Sequence, residues 1–208
     1  MAAAAIKTAP RLARDFFARP ALVVARELLG ARLVRIEDGQ RLGGLITETE
    51  AYSGEEDLGC HCKAGRTPRT RVMYGPPGHA YVYFTYGMHW CLNFVVEVED
   101  YPAAVLLRAI QADEGISVIA SRRVGVPSAH WTDGPAKLSR ALHLDKAFNG
   151  ADLCAPDAML FLEAGAALPD SLVSMSPRVG LNNVPEPWKS NPWRFRVLQN
   201  ATEALRAG

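Results

Sequence analysis

The chain has 208 residues, 49% of them hydrophobic and 22% charged, with a net charge of +1. This is the balance of a globular protein rather than a disordered one, and a chain of this length buries enough apolar surface to fold without disulfides. No run approaches the roughly 18 consecutive apolar residues of a membrane span, and the N-terminal alanines precede Lys7, Arg11 and Arg14, the reverse of a secretory leader. An intracellular protein is expected, in the cytoplasm, at the nucleoid or in a nucleus. Residues 1–10 are expected to be disordered, 11–200 to form a single domain, and 201–208 to be a tail.

In chain order, residues 21–29 read as a short helix closed by Gly30. Residues 31–37 and 41–52 read as strands, with Asp38-Gly39 as a hairpin turn between them. A polar, basic loop covers 53–77. The aromatic-rich 80–87 and the apolar 91–99 favour strands joined by a second, protruding hairpin, and 103–110 reads as a buried strand with one charge in it. Helices are predicted over 113–123 and 135–143. Asp133 is read as the capping acid of the second helix, ahead of Gly134 and Pro135. Short strands are predicted near 158–162 and 193–198. Hairpin-connected strands with a few helices imply an α+β domain around a largely antiparallel, curved sheet.

Cys60-His61-Cys62 invites a zinc reading, but the spacing lacks the usual C-x₂₋₄-C pairs, so free thiols and no metal are expected. Near-neutral net charge does not itself point to nucleic acid. The basic residues are nevertheless clustered: Lys63, Arg66, Arg69 and Arg71 in one loop, and Arg122, Arg123, Lys137 and Arg140 further on. Such runs are commonly solvated faces, and a phosphate-binding patch is the sharper alternative.

The strand 45–52 places Ile46, Glu48, Glu50 and Tyr52 on one face by simple alternation. Two carboxylates on an apolar strand mark either a site or a solvent-facing edge, and the strand alone does not choose. Arg108 is a charge in an apolar strand and needs a partner, for which Glu48 or Glu50 is natural. Asn93 is a single amide in an apolar strand and needs hydrogen bonds. Tyr86, followed by Gly87 at a hairpin tip, has little core to pack against and is suited to wedge between base steps. A glycoside hydrolase using Glu48 and Glu50, or a non-catalytic nucleic-acid module, would each explain part of this pattern.

The stretches ITETEAYSGEEDLGCH, GRTPRTRVMYGPPGHAYVYFTYGMHWCLN, AVLLRAI, DGPAKL, PRVGL and PWRF resemble the alkyladenine (3-methyladenine) DNA glycosylase family over nearly the whole chain. The resemblance implies a monofunctional glycosylase of base excision repair. Such an enzyme flips 3-methyladenine, 7-methylguanine, hypoxanthine or ethenoadenine out of double-stranded DNA and leaves an abasic site, as a monomer without a cofactor. It implies Glu50 as the base that deprotonates water and Arg108 as the group that helps hold that water. Tyr52 would stack on one side of the flipped base, and His61 with Tyr83 on the other. Asn93 would exclude guanine, Tyr86 would intercalate, and Arg66, Thr67, Met88 and Lys137 would lie at the DNA backbone. One departure is His89, which stands where an aromatic is usual beside the wedge.

Overall fold

A computed structural model describes residues 9–198, so the tail expected over 201–208 and most of the N-terminal segment lie outside the described residues. Pro10, at the inner end of that segment, is held in place: its carbonyl accepts the Ala164 N–H at 2.9 Å.

The chain begins with a helical turn, α1 (Arg14–Phe17), and a helix, α2 (Ala21–Glu27). Ala21, Val24, Ala25 and Leu28 repeat at helical spacing and are all buried, which gives α2 one apolar face. Gly30, at φ 88°, takes the left-handed turn that ends the segment. Two strands follow, β1 (Arg32–Glu37) and β2 (Gln40–Ser53). Asp38 and Gly39 both have positive φ, 49° and 75°, the turn that a twisted two-residue hairpin requires. Next come β3 (Ala80–Thr85), β4 (His89–Val95) and β5 (Ala103–Glu114), then α3 (Ile116–Arg122) and α4 (Pro135–Ala141). Three short strands close the described chain: β6 (Leu160–Glu163), β7 (Val173–Ser176) and β8 (Arg194–Val197).

The strands form one open sheet in the order β3-β4-β5-β2-β1-β6, with β8 also on β2 and β7 on β8, every pair antiparallel. The α+β reading is therefore correct. β2 is its spine. Its first half pairs with β1 and its second half, Glu48 to Glu50, with β8. Neighbouring strands crowd β2 at Gly43 and Gly44, where a Cβ would lie 2.0 Å from the carbonyl oxygens of Leu33 and Gln111.

Both faces of the sheet are covered. On one, α2 and α4 pack a large core that includes Val24, Leu28, Phe94, Leu107 and Leu138. On the other, the 53–77 loop packs a smaller core of Cys60, Cys62, Met73, Tyr74 and Tyr81, against which Tyr52 and Tyr83 rest. That loop contains two turns of 3₁₀ helix, His61–Ala64 and Arg71–Tyr74. All four cysteines are free thiols.

Several expectations need correction. β5 runs on to Glu114, so α3 starts only at Ile116. Asp133 does not cap α4. The helix opens on Gly134 without a side-chain cap, and the Asp133 carboxylate is engaged by His130 at 2.7 Å and Lys137 at 2.8 Å. Ile46 does not share a face with Glu48: it lies in the large core, because the β2–β5 register shifts on either side of Glu48. In that shift Thr47 and Arg108 have no strand partner opposite, and such bulges turn side chains away from simple alternation.

Candidate active site

The bulge brings the chemistry-bearing residues of β2 and β5 together. Arg108, from the unpaired position of β5, donates through Nε to Glu48 Oε1 at 2.5 Å and places Nη1 3.2 Å from Glu50 Oε1. Both acids proposed as partners thus meet this arginine. Burial disfavours the Arg108 cation, but Glu50 and Glu48 outweigh it and raise its pKa. Arg194 of β8 donates to the same Glu48 oxygen at 2.7 Å, so Glu48 bridges two guanidinium groups.

Glu50 is fully buried. Its Oε1 accepts the Val179 backbone N–H at 2.7 Å, and its Oε2 accepts the Tyr52 hydroxyl at 2.8 Å. Burial, then the Glu50 charge and this hydrogen bond, push the Tyr52 phenol well above its ordinary range, so Tyr52 remains an O–H donor. A carboxylate offers about four acceptor sites. The amide and the phenol take one on each oxygen, and the Arg108 guanidinium lies against Oε1 as a charge partner.

In front of this carboxylate lies a cavity of about 180 Å³. Tyr52, His61, Tyr83 and Asn93 all line it, with Tyr86 at its edge and Tyr81, Val179 and Leu181 completing the walls. Glu50 and Arg108 are not wall residues; Glu50 adjoins the cavity through its bonds to two that are, Tyr52 and Val179. Asn93 is buried, and its Nδ2 donates to the Tyr81 carbonyl at 3.0 Å, which pairs one N–H and restrains the amide.

His61 packs edge-on against Tyr83, with ring centres 4.6 Å apart. Arg69 Nη2 approaches its Nε2 at 3.4 Å, and the Tyr81 hydroxyl lies 3.1 Å from its Nδ1. A guanidinium can only donate, so Nε2 accepts and Nδ1 carries the proton. Burial, then the charges of Arg69 and Lys63, lower the His61 pKa from 6.5 to about 4. The imidazole is therefore neutral near pH 7.

The hairpin between β3 and β4 rises at the mouth. Tyr86 is 84% exposed, and both it and Gly87 have positive φ, 51° and 67°. Met88 beside it is also exposed, and Phe84 packs on Trp90 below the tip. The other residues assigned to the DNA backbone are dispersed and already partnered. Arg66 pairs with Asp100 and lies over the Tyr74 ring, Thr67 bonds Thr70, and Lys137 pairs with Asp133. Within the second basic run, Arg122 is tied to Glu37 and the Ala141 carbonyl.

The model of the family described as Methylpurine-DNA glycosylase (MPG) matches residues 15–201. The chain belongs to the methylpurine-DNA glycosylase family. It is thus a DNA glycosylase, a hydrolase acting on N-glycosyl bonds, and DNA is its substrate. Among proteins named "Putative 3-methyladenine DNA glycosylase", one from Myxococcus xanthus (strain DK1622) is 50% identical over 89% of this chain and 89% of its own length. One from Methanocella arvoryzae is 47% identical over 95% of this chain and 98% of its own. One from Streptomyces avermitilis is 44% identical over 92% and 89%.

Sequence reasoning missed four contributors to this glycosylase's pocket: Tyr81, Arg178, Val179 and Arg194. Tyr81 was legible as one more aromatic in an aromatic strand. Val179 acts through its backbone and leaves no side-chain signal. Arg178 and Arg194 lie in the PRVGL and PWRF stretches, but nothing local indicates that either guanidinium folds back onto β2. No helix among the described residues is long and apolar enough to cross a membrane.

Proposed function

We propose that this glycosylase extrudes alkylated or deaminated purines from double-stranded DNA and hydrolyses the N-glycosidic bond with a water activated by Glu50, leaving an abasic site. The observation that carries this reading is a fully buried carboxylate directly behind a slot walled by aromatic rings. A base inside a duplex cannot present its glycosidic carbon to such a carboxylate, so it must be flipped, at a cost of a few kcal/mol that is least for poorly paired lesions. Stacking between Tyr52 and the His61–Tyr83 wall returns about 1–3 kcal/mol per base.

The chemistry follows from the leaving group. An N3- or N7-alkylated purine is cationic and leaves as a neutral base once the bond to C1′ breaks. Electron-rich aromatic faces favour that cation, and a neutral His61 does not repel it. Hypoxanthine and ethenoadenine are neutral and need a proton as they depart. The water oxygen forms the new bond to C1′, and its proton passes to Glu50. Until then the carboxylate charge stabilises the oxocarbenium-like sugar. Arg108 orients the carboxylate and the water beside it. Among the described residues that line the slot there is no lysine, which supports simple hydrolysis without a Schiff base.

Tyr86 fills the space left by the extruded base, and Asn93 blocks the amino group at C2 of guanine. Arg66, Thr67, Met88 and Lys137 flank the backbone, and the exposed Arg66–Asp100 pair is weak enough for a phosphate to displace Asp100. The protein acts as a monomer without a cofactor on 3-methyladenine, 7-methylguanine, hypoxanthine and ethenoadenine. The test is incubation with duplexes carrying these lesions, scored for abasic sites. Wild-type protein is expected to release base, and Glu50→Gln to bind the lesion but release it at least about 10²-fold more slowly. Near-normal single-turnover release by the variant would remove Glu50 as the base.

A further inference from the structure

Arg178 lies behind the pocket, out of reach of substrate. Its side chain and that of Asp57 are both fully buried and form a two-pronged pair, Nη1 to Oδ2 at 2.5 Å and Nη2 to Oδ1 at 2.8 Å. Nη1 also donates to the Ala51 carbonyl at 3.1 Å, and Nη2 to the Trp188 carbonyl at 3.2 Å. The guanidinium carbon sits 4.6 Å from the centre of the Tyr52 ring and 4.8 Å from that of Trp193. Burying such a pair is expensive, and for folding alone apolar residues of similar volume serve as well or better.

These contacts reach each part of the pocket. The planar cation presses on Tyr52 directly. Asp57 carries the second link: it also accepts the Gly59 N–H at 2.9 Å, and its carbonyl accepts the Cys60 N–H at 2.8 Å, in the turn that delivers His61. The residue after Arg178 supplies the amide that holds Glu50 Oε1. One side chain therefore joins both aromatic walls and the carboxylate. Gly59 leaves room for the approach: a Cβ there would lie 2.8 Å from both Arg178 Nη2 and Leu181 Cδ1.

We propose that Arg178 is a positioning residue that sets the spacing between Tyr52 and the His61 wall and the orientation of Glu50. It acts through these groups and does not touch the substrate. The inference rests on the roles proposed above for Tyr52, His61 and Glu50. Arg178→Lys keeps the charge but loses the planar fork and its stacking. Asp57→Asn keeps the arginine and removes one prong of its fork.

The two variants are compared with wild-type and Glu50→Gln protein on a duplex carrying ethenoadenine. Single-turnover release and the fluorescence of the bound lesion, which stacking quenches, are read well below the melting temperature. Folded variants are expected to bind undamaged duplex normally, to quench ethenoadenine less at saturation, and to release it about tenfold or more slowly, since small misplacements are costly at a reacting centre. If Arg178→Lys does not fold, Asp57→Asn carries the test. Normal quenching and release in either folded variant would overturn the proposal, as would a loss of release with quenching intact. If wild-type protein releases no base from any lesion duplex, the proposed function itself is wrong. If wild-type is active, Glu50→Gln is not, and a folded positioning variant behaves as wild-type, only the role of Arg178 falls.

Discussion

Asn93 and His61 show how far a single side chain's environment constrains its role. Asn93 is buried and bonded to the Tyr81 carbonyl, on a strand that Leu92 and Phe94 anchor in the core on the opposite face, which restrains it from swinging aside for a bulkier base. Asn93→Ser should relax the exclusion of guanine, with release of mismatched guanine rising relative to hypoxanthine by about 1–3 kcal/mol of specificity. An unchanged ratio between the two bases, measured on one preparation, would sink the gatekeeper role. His61 makes a prediction about pH. Its folded pKa of about 4 lies below the ordinary 6.5, so between these values the unfolded chain binds a proton that the folded protein does not. The stabilisation is complete above about pH 6.5 and is lost as pH falls toward 4. Thermal melts of wild-type and His61→Gln protein across that window should diverge, the wild type losing more stability on acidification. Parallel curves would mean that His61 is not held neutral by its surroundings.

At the scale of elements, the β3–β4 hairpin and the β2–β5 bulge do different work. The hairpin holds a large aromatic in water with its backbone in the left-handed region, a conformation that costs a tyrosine more than a glycine. Neither feature helps folding. Tyr86→Gly should therefore leave stability within about 0.5 kcal/mol or raise it. It should nevertheless slow excision, most for a stably paired lesion and least for one in a mismatch, where less pairing must be broken. Equal losses on the two substrates would assign Tyr86 to packing instead. The bulge was not readable in the sequence. Alternation along ITETEAY correctly placed Glu48, Glu50 and Tyr52 together, but it failed one step earlier, at Ile46, where the register shifts. The extra residue on each strand is what lets Arg108 lean onto both glutamates.

Taken whole, the molecule is an open antiparallel sheet with helices on one face and the basic 53–77 loop on the other, and the pocket opens on the loop side. With a net charge of only +1, attraction to DNA must be local rather than general. The loop supplies Lys63, Arg66, Arg69 and Arg71. Arg69 is committed to His61 and Tyr83, whereas the half-exposed Arg66 is held by an exposed acid and the Tyr74 ring. Affinity for undamaged duplex should fall steeply with salt, and Arg66→Ala should flatten the slope of log K against log salt by about one unit. A variant slope equal to that of the wild type would place the phosphate contacts elsewhere.

Local chemistry made much of this legible in advance. Asp38-Gly39 and Gly30 announce their turns because only certain residues accept positive φ. Glu50, Arg108 and Asn93 stand out because a charge or an amide in an apolar strand must find a partner. Tyr86 stands out because a hairpin tip offers a tyrosine nothing to pack against. What only the tertiary structure decided is whatever depends on contacts distant in sequence. Arg178 meets Asp57 from 121 positions away and Glu50 takes the amide of a residue 129 positions away. Arg194 closes on Glu48 from a strand 146 positions on. None of these leaves a local pattern, because an ion pair or a backbone hydrogen bond is specified by where two segments come to lie, and that is set by the packing of the whole sheet.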